Sequence, residues 1–302
     1  MTQELISAII CTRNRTDMIA RAVGSVLAND DGNFDLTIID QSDDEQATRS
    51  ALGDLATDPR LRYVHTTKVG LSAAYNAAIA ASSGPLLAFT DDDCSVPVDW
   101  LGSIRHEFEI EPTADLIYGQ VLVPEELRDA PGYVPALPIA KRRLMSRKEG
   151  FEIYGMGANF AARRRLFKAI GGFDEMLGGG GPLRSSQDFD LEYRAYRANR
   201  VKLLAPAVWL FHYGLRTDEQ WPSTAIAYGV GDGAFYMKHV RCGDFYAAQL
   251  FARKTVRESL KVARNWALRR PRSAEYARGL FTGGRRSLSY RVDRQHRMYV
   301  GA

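Results

Sequence analysis

The chain lacks a cysteine framework, a long apolar run and either of two common glycine-rich phosphate loops. Among its 302 residues only Cys11, Cys94 and Cys242 are cysteines. They are too few and too scattered for a disulfide scaffold or a zinc site, so a reducing, cytoplasmic setting is expected. No stretch approaches the roughly 20 apolar residues of a membrane helix, so an integral membrane protein is not expected. The first residues, MTQELISAIICTRNR, hold one short apolar run between Glu4 and Arg13. That run reads as a strand and not as a signal peptide. No G-x-G-x-x-G follows it, which argues against a dinucleotide site, and no G-x-x-x-x-G-K-[ST] occurs, which argues against a P-loop. With 45% apolar and 25% charged residues, the composition is that of a globular chain, not of a disordered one.

What the chain has is an uneven charge. The net formal charge is +4, yet the stretch from Lys238 to the end carries 16 basic and 4 acidic residues. The first 237 residues carry 24 basic and 32 acidic ones. An acidic body is suited to cations and a basic tail to an anionic surface.

Strand and helix patterns alternate through the first 120 residues. Apolar runs at Ile6–Cys11, Leu36–Ile39, Leu61–Val64, Pro85–Thr90 and Leu116–Val123 read as strands. Helices are expected over Met18–Leu27, Leu71–Ala81 and Val98–Phe108. This alternation predicts an α/β fold with a doubly wound, mostly parallel sheet. Pro124, Pro131, Pro135 and Pro138 interrupt residues 124–150, which read as a loop that orders over a substrate. The pattern resumes with a strand at Asn159–Ala162, a helix at Arg163–Ile170, a flexible glycine loop at Gly178–Gly181, a helix from Asp188 and short strands before His212. After Trp221 the chain reads as helical to its end, with breaks at Gly243, Pro271 and Gly283–Gly284. The expected division is a catalytic domain over residues 1–221 and a basic helical extension over residues 222–302.

In an open parallel sheet, ligands bind outside the carboxyl ends of the strands. Here the first strand ends in Cys11-Thr12-Arg13-Asn14-Arg15, the second in Asp40 and the fourth in Asp91-Asp92-Asp93. Three successive carboxylates repel one another unless something positive sits among them. A hard divalent cation with oxygen ligands is the simplest neutraliser, and it would let a nucleotide diphosphate bind without a glycine loop. Asp40 then either accepts from the base or forms an Asx turn after its strand.

At this point the residues resemble a family. Ile9–Arg15, Asp40, Gly70–Asn76 and Phe89–Asp93, followed by Pro97 and Trp100-Leu101, are similar to the family 2 glycosyltransferases of GT-A fold. The resemblance continues through Gly157–Phe160, Gly171–Glu175 and Gln187–Leu191 to His212, about two thirds of the chain. It implies a nucleotide-sugar donor, a divalent cation (Mg²⁺ or Mn²⁺) and inversion at the anomeric carbon. By the D-x-D match, Asp93 would ligate the metal and Asp91 would touch the ribose or the metal, with Asp92 between them in the nucleotide site. Asp40 would read the base, and Thr12, Arg13 and Arg15 would line the nucleotide pocket with Asn76. His212 matches a further metal or pyrophosphate ligand; a packed histidine is its other reading. Asp188 matches the general base that a poorly nucleophilic sugar hydroxyl requires. As the start of a helix it also suits an N-cap, and Asp190 competes for the role.

Two departures stand out. Gln187 replaces the usual Glu, removing a negative charge beside Asp188. Tyr75 replaces an Arg before Asn76, which leaves a pyrophosphate contact to Lys68 or Arg13. The expected acceptor is a saccharide or lipid-linked hydroxyl in surface polysaccharide or glycolipid synthesis, and the first choice of donor is a uridine diphosphate sugar. Two alternatives are carried. A sugar-phosphate nucleotidyltransferase would need a glycine-rich basic loop at residues 12–17, which is not there. A nucleotide-binding scaffold without turnover would account for Gln187 and Tyr75.

Beyond the catalytic resemblance, Arg253, Lys254, Arg257, Lys261 and Arg264 recur at near-helical spacing, followed by Arg269, Arg270 and Arg272. They read either as a solvated basic face or as a peripheral contact with anionic lipid on the inner face of the cell membrane. No nucleic-acid motif accompanies them, so nucleic acid is the least expected partner.

Overall fold

A computed structural model describes residues 3–152, 155–269 and 274–300. The expected break at Pro271, with Arg270 and Arg272, lies outside these residues. Packing separates the chain into two compact units. One comprises residues 1–69, 73–172 and 192–215, the other residues 70–72, 173–191 and 216–302.

The first unit is built on a nine-stranded sheet. In chain order the elements as far as its last strand are β1 (Ile6–Thr12), α1 (Ile19–Leu27), β2 (Phe34–Asp40), α2 (Glu45–Leu52), β3 (Leu61–His65), α3 (Leu71–Ala81), β4 (Leu86–Asp91), β5 (Cys94–Ser95), α4 (Trp100–Ile110), β6 (Ala114–Leu122), β7 (Arg143–Met145), β8 (Asn159–Arg163), α5 (Arg164–Ile170), α6 (Gln187–Arg197), whose first residues belong to the second unit, and β9 (Val201–His212). The strand order is β3-β2-β1-β4-β8-β6-β9-β5, with β7 on β9. β1 is buried along its whole length, because a central strand covered on both faces needs continuous apolar side chains. Ile19, Val23 and Val26 of α1 pack with Ile6, Ala8 and Ile10 on one face, together with Trp100, Ile104 and Phe108 of α4. On the other face Phe89 stacks on Phe160, with Tyr75 edge-on to both.

The pairings β3-β2-β1-β4 and β6-β9 are parallel. β8, however, runs antiparallel between β4 and β6. A helical crossover returns a chain to the starting edge and makes the next strand parallel. The described residues between β6 and β8 supply no such helix, so the chain re-enters the sheet from the end at which it left β6. This segment is also more ordered than its prolines suggest. β7 pairs with β9, Leu137 bridges Val121, and Val134, Ile139 and Met145 are buried. In place of the short strands expected before His212 there is one twelve-residue strand.

The second unit contains α7 (Trp221–Arg241), α8 (Phe245–Ala267), α9 (Ala274–Ser287), β10 (Arg291–Asp293) and β11 (Met298–Val300). Gly283 and Gly284, read as a break, lie inside α9. Gly283 is needed there for packing and not for a turn, whereas a Cβ on Gly284 would make only an ordinary contact, 3.4 Å from Phe251. A Cβ on Gly283 would fall 1.9 Å from the Val230 carbonyl oxygen, and one on Gly233 would fall 2.0 Å from that of Leu280. α7 and α9 therefore cross with their backbones in contact. The last residues form a hairpin, β10 with β11, instead of continuing the helix. Asp293 Oδ1 accepts from the backbone of Gln295 and His296 and turns the chain. The hairpin buries Tyr299, whose hydroxyl donates to the Ala234 carbonyl. No described helix is long and apolar enough to cross a membrane.

The close crossing makes a direct prediction. Gly283→Ala should lower the melting temperature by several degrees, as over-packing costs about 1–3 kcal/mol. Gly102→Ala, on α4 where a Cβ meets nothing within 4 Å, should leave it unchanged or raise it slightly. Equal melting temperatures for the two variants in calorimetry would contradict the crossing.

Candidate active site

The carboxyl ends of β1, β4 and β9 bring the sequence-predicted residues together. β1 is in register with β4, Cys11 beside Asp91. β5 folds back on β9 so that Cys94 lies opposite His212. Asp93 is thereby delivered to His212, with 3.3 Å between its Oδ1 and Nε2. The Tyr213 N–H donates to the Asp93 carbonyl at 2.7 Å and closes this corner. Gly214 is required beside it, since a Cβ there would lie 2.5 Å from Asp93 Oδ2.

A positive group does sit among the carboxylates, and it belongs to the chain. Arg15 Nη1 lies 2.9 Å from Asp92 and 2.6 Å from Asp93. Thr12 Oγ1 donates to the other oxygen of Asp92 at 2.7 Å. Tyr75, which stands where a cation was expected, is buried and donates its hydroxyl to Asp91 at 3.3 Å. The three carboxyls respond differently. Burial, then the Asp93 charge, pushes Asp91 up to about 7. Burial pushes Asp92 up to about 6 against the opposing pull of Arg15 and Thr12. Burial acts on Asp93 too, but His212 and Arg15 overcome it and hold this carboxyl down at about 2. Asp93 is therefore ionised at neutral pH, as a metal ligand must be.

The residues fit a hard divalent cation. Ligand atoms of Asp93, Cys94 and His212 lie within 4.8 Å of one another. His212 Nδ1 is buried without a hydrogen-bond partner among the described residues. Burial and the neighbouring carboxylates raise the Cys94 thiol, which keeps it protonated and a poor ligand. Carboxylate oxygen and imidazole nitrogen remain, the donors suited to Mg²⁺ or Mn²⁺.

The other candidates in this unit have different surroundings. Arg13 is exposed and turns to Asp43 at 3.5 Å. Asp40 is fully buried, accepting from the Ser42 N–H at 2.8 Å and from the Tyr63 hydroxyl at 2.5 Å. This is the Asx-turn arrangement. Lys68 is exposed in the loop after β3, and its backbone ties that loop to Gln41 and Thr66. Asn76 is partly buried on α3, its Oδ1 against the Gly172 backbone, where a Cβ would lie 2.3 Å away.

In the second unit, Asp188 is partly exposed in the first turn of α6 and accepts the Phe189 N–H. Asp190 is fully buried. Its Oδ1 is 2.6 Å from Lys238 Nζ and 2.9 Å from His239 Nε2. Lys238 also pairs with Asp174 at 2.6 Å, and burial holds His239 down at about 4, largely neutral. The glycine segment before Asp188, expected as a flexible loop, is tied down by hydrogen bonds. Gly178 donates to Ser185, Leu183 to Met176 and Leu71 to Gly179. Arg184 and Ser186 are held at positive φ, and the Ser186 hydroxyl donates to Asp232 at 2.7 Å. Such backbone strain in a non-glycine residue persists only where the surroundings over-determine it. Arg15 as the bridging cation, Tyr75 as a donor and Lys238 with His239 as clamps were not assigned these roles from sequence. For Tyr75 the available signal was its place among alanines on the buried face of α3.

The family model "Glycosyl transferase family 2" matches residues 7–171. The chain is 27% identical over 196 residues to the putative colanic acid biosynthesis glycosyl transferase WcaA of Escherichia coli K12, covering 63% of this chain and 65% of that protein. It is 25% identical over 183 residues to the glucosyl-dolichyl phosphate glucuronosyltransferase of Haloferax volcanii, covering 57% of each. The chain thus spans less than two thirds of the length of these curated relatives. In fold it is similar to the mannosyltransferase PcManGT of Pyrobaculum calidifontis, solved with GDP-Man and Mn²⁺. That match has a TM-score of 0.60 and 17% identity over 95% of this chain and 88% of that one.

The buried carboxyls set a pH dependence in the metal-free protein. Asp92 releases its proton at about 6 in the folded state and near 3.8 in the unfolded chain. Its stabilising contribution is complete below the lower value and is lost as the pH rises through the higher one. Wild type should therefore gain stability relative to Asp92→Asn as the pH falls from 7 to 4, at up to about 1.4 kcal/mol per pH unit. Parallel thermal melts of the two proteins in chelator, read as their difference, check the sign.

Proposed function

The chain belongs to glycosyl transferase family 2, and we propose that it is a glycosyltransferase that uses a divalent cation to hold a nucleotide-sugar donor. The sugar moves, with inversion, to a hydroxyl of a saccharide or lipid-linked acceptor. The observation that carries this reading is the carboxylate row Asp91-Asp92-Asp93 beside His212, whose Nδ1 is buried and unsatisfied. Asp93 and His212 would hold the cation, Mg²⁺ or Mn²⁺. When bound, it supplies positive charge to the diphosphate that leaves. Thr12, Arg15, Asp91 and Asp92 line the nucleotide site, and Arg13, Asp40, Lys68 and Asn76 complete it. A uridine diphosphate sugar is the proposed donor. Residues 1–221 are read as the catalytic region and residues 222–302 as its basic helical extension.

Asp188 is the proposed base. The acceptor oxygen forms its bond to the anomeric carbon as the bond to the diphosphate oxygen breaks, and Asp188 takes the hydroxyl proton. The burial of Asp190 and its contacts with Lys238 and His239 support this choice. A carboxylate sealed between a lysine and an imidazole has no path to an acceptor. The nucleotidyltransferase alternative has neither its loop nor the family match.

Asp93→Ala should abolish metal-dependent UDP binding in calorimetric titration with Mn²⁺, and His212→Ala should weaken it less, since water can replace one neutral ligand. Unchanged affinity and unchanged metal dependence in Asp93→Ala would overturn the metal assignment. Asp188→Asn should keep UDP and metal affinity while transfer falls at least ~10²-fold. Loss of UDP affinity in that variant would move Asp188 to the donor side. Near-normal transfer would remove it as base. Binding of the donor without any metal-dependent hydrolysis by wild type would favour a scaffold without turnover.

A further inference from the structure

The outward face of α8 is built against the usual rule. A helix on the surface of a globular protein turns its apolar stripe inward and its charges outward. In α8 the inward positions are Ala247, Phe251, Lys254 and Glu258, at i, i+4, i+7 and i+11. Ala247 and Glu258 are buried. Phe251 stacks on Tyr236, and Lys254 lies 4.8 Å over the ring of Tyr276 and 3.5 Å from Asp232. Half a turn away, the outward positions Phe245, Ala252, Val256, Leu260 and Ala263 form a second apolar stripe. Phe245 is 75% exposed, Val256 57%, Leu260 64%, and Trp266 beside them 84%. The charges lie along one edge of this stripe, where Arg253, Arg257, Lys261 and Arg264 are all exposed. The one acidic residue of the helix, Glu258, is buried and paired with Lys261 at 2.9 Å and with Arg257 at 3.2 Å, which leaves the row of four cations a net positive charge.

We infer that the outward face of α8 docks on an anionic lipid surface, with Phe245, Val256, Leu260 and Trp266 entering the interface and Arg253, Arg257 and Arg264 on lipid phosphates. An apolar stripe with a basic flank and an aromatic at its edge is the chemistry of a helix lying in the plane of a bilayer. The charge decides between this occupant and a second copy of the chain. Self-association through the stripe would set two arginine rows against each other without a counter-charge, whereas an anionic surface supplies one. The inference deepens the proposed transfer to a lipid-linked acceptor and rests on that reading for its consequence. The docking is measured without turnover.

The test uses the full chain and vesicles of phosphatidylcholine with or without phosphatidylglycerol. Wild type should sediment with the anionic vesicles at low salt, and less so at high salt. Arg253→Glu/Arg257→Glu/Arg264→Glu should lose about 10²-fold in partitioning. Val256→Ser/Leu260→Ser, a change at exposed positions, should lose about tenfold or more. Circular dichroism and metal-dependent donor hydrolysis should be unchanged in both variants. Wild type that ignores anionic vesicles overturns the inference. So does serine-variant binding equal to wild type, which would reduce the contact to charge alone. A dimer in sedimentation equilibrium that Val256→Ser/Leu260→Ser dissociates, without vesicle binding, would assign the face to a second copy. Absent donor hydrolysis in wild type would count against the proposed transfer and leave the vesicle result readable.

Discussion

Three adjacent carboxylates at the end of β4 are taken out of water, and much of the first unit answers that constraint. Like charges so close cannot all ionise at little cost in a medium poorer than water. The chain meets this by sharing Arg15 between Asp92 and Asp93, by giving Asp92 the Thr12 hydroxyl and Asp91 that of Tyr75, and by backing Asp93 with His212. The outcome is graded. Asp93 stays ionised, while Asp91 and Asp92 hold protons into the range of pH 6–7. Burial is the main reason these two protons are held, and a bound cation would favour their release.

The second unit solves a comparable problem with an internal counter-charge. Asp174 and Asp190 converge on Lys238, and His239 stays neutral beside them. Buried ion pairs of this kind add little net stability, but losing one partner is expensive, so they hold an arrangement in place. Here they fix α7 against the start of α6, two residues from Asp188. The glycine crossing of α7 and α9 supports the same scaffold from the other side. Within it, α8 is held by its inner stripe alone, which leaves its outer stripe open.

Much was legible in the sequence because local chemistry decided it. Most strands and helices of the first 120 residues follow from hydrophobic periodicity, α3 to the residue, while the polar α2 and the two-residue β5 do not. The family follows from the order of short motifs, each weak by itself. The carboxylate row announced a charge that needed neutralising. What the sequence could not carry was which positive group answers it. Arg13 and Arg15 have equal standing in the text, and only the turn at Asn14, with its positive φ, sends one to Asp43 and the other to the carboxylates.

The remaining decisions belong to tertiary structure. Asp188 and Asp190 are two carboxylates on one helix turn, and only the packing of α7 buries one and leaves the other accessible. Gly283 and Gly284 read as a helix break because intrinsic propensity disfavours glycine. At Gly283 a partner backbone within 2 Å of a would-be Cβ overrides that preference. β8 reverses because no helix among the described residues returns the chain to the other end of the sheet. In each case the sequence determined what a segment prefers by itself, and contacts between residues far apart in the chain, each of them small, decided which preference was kept.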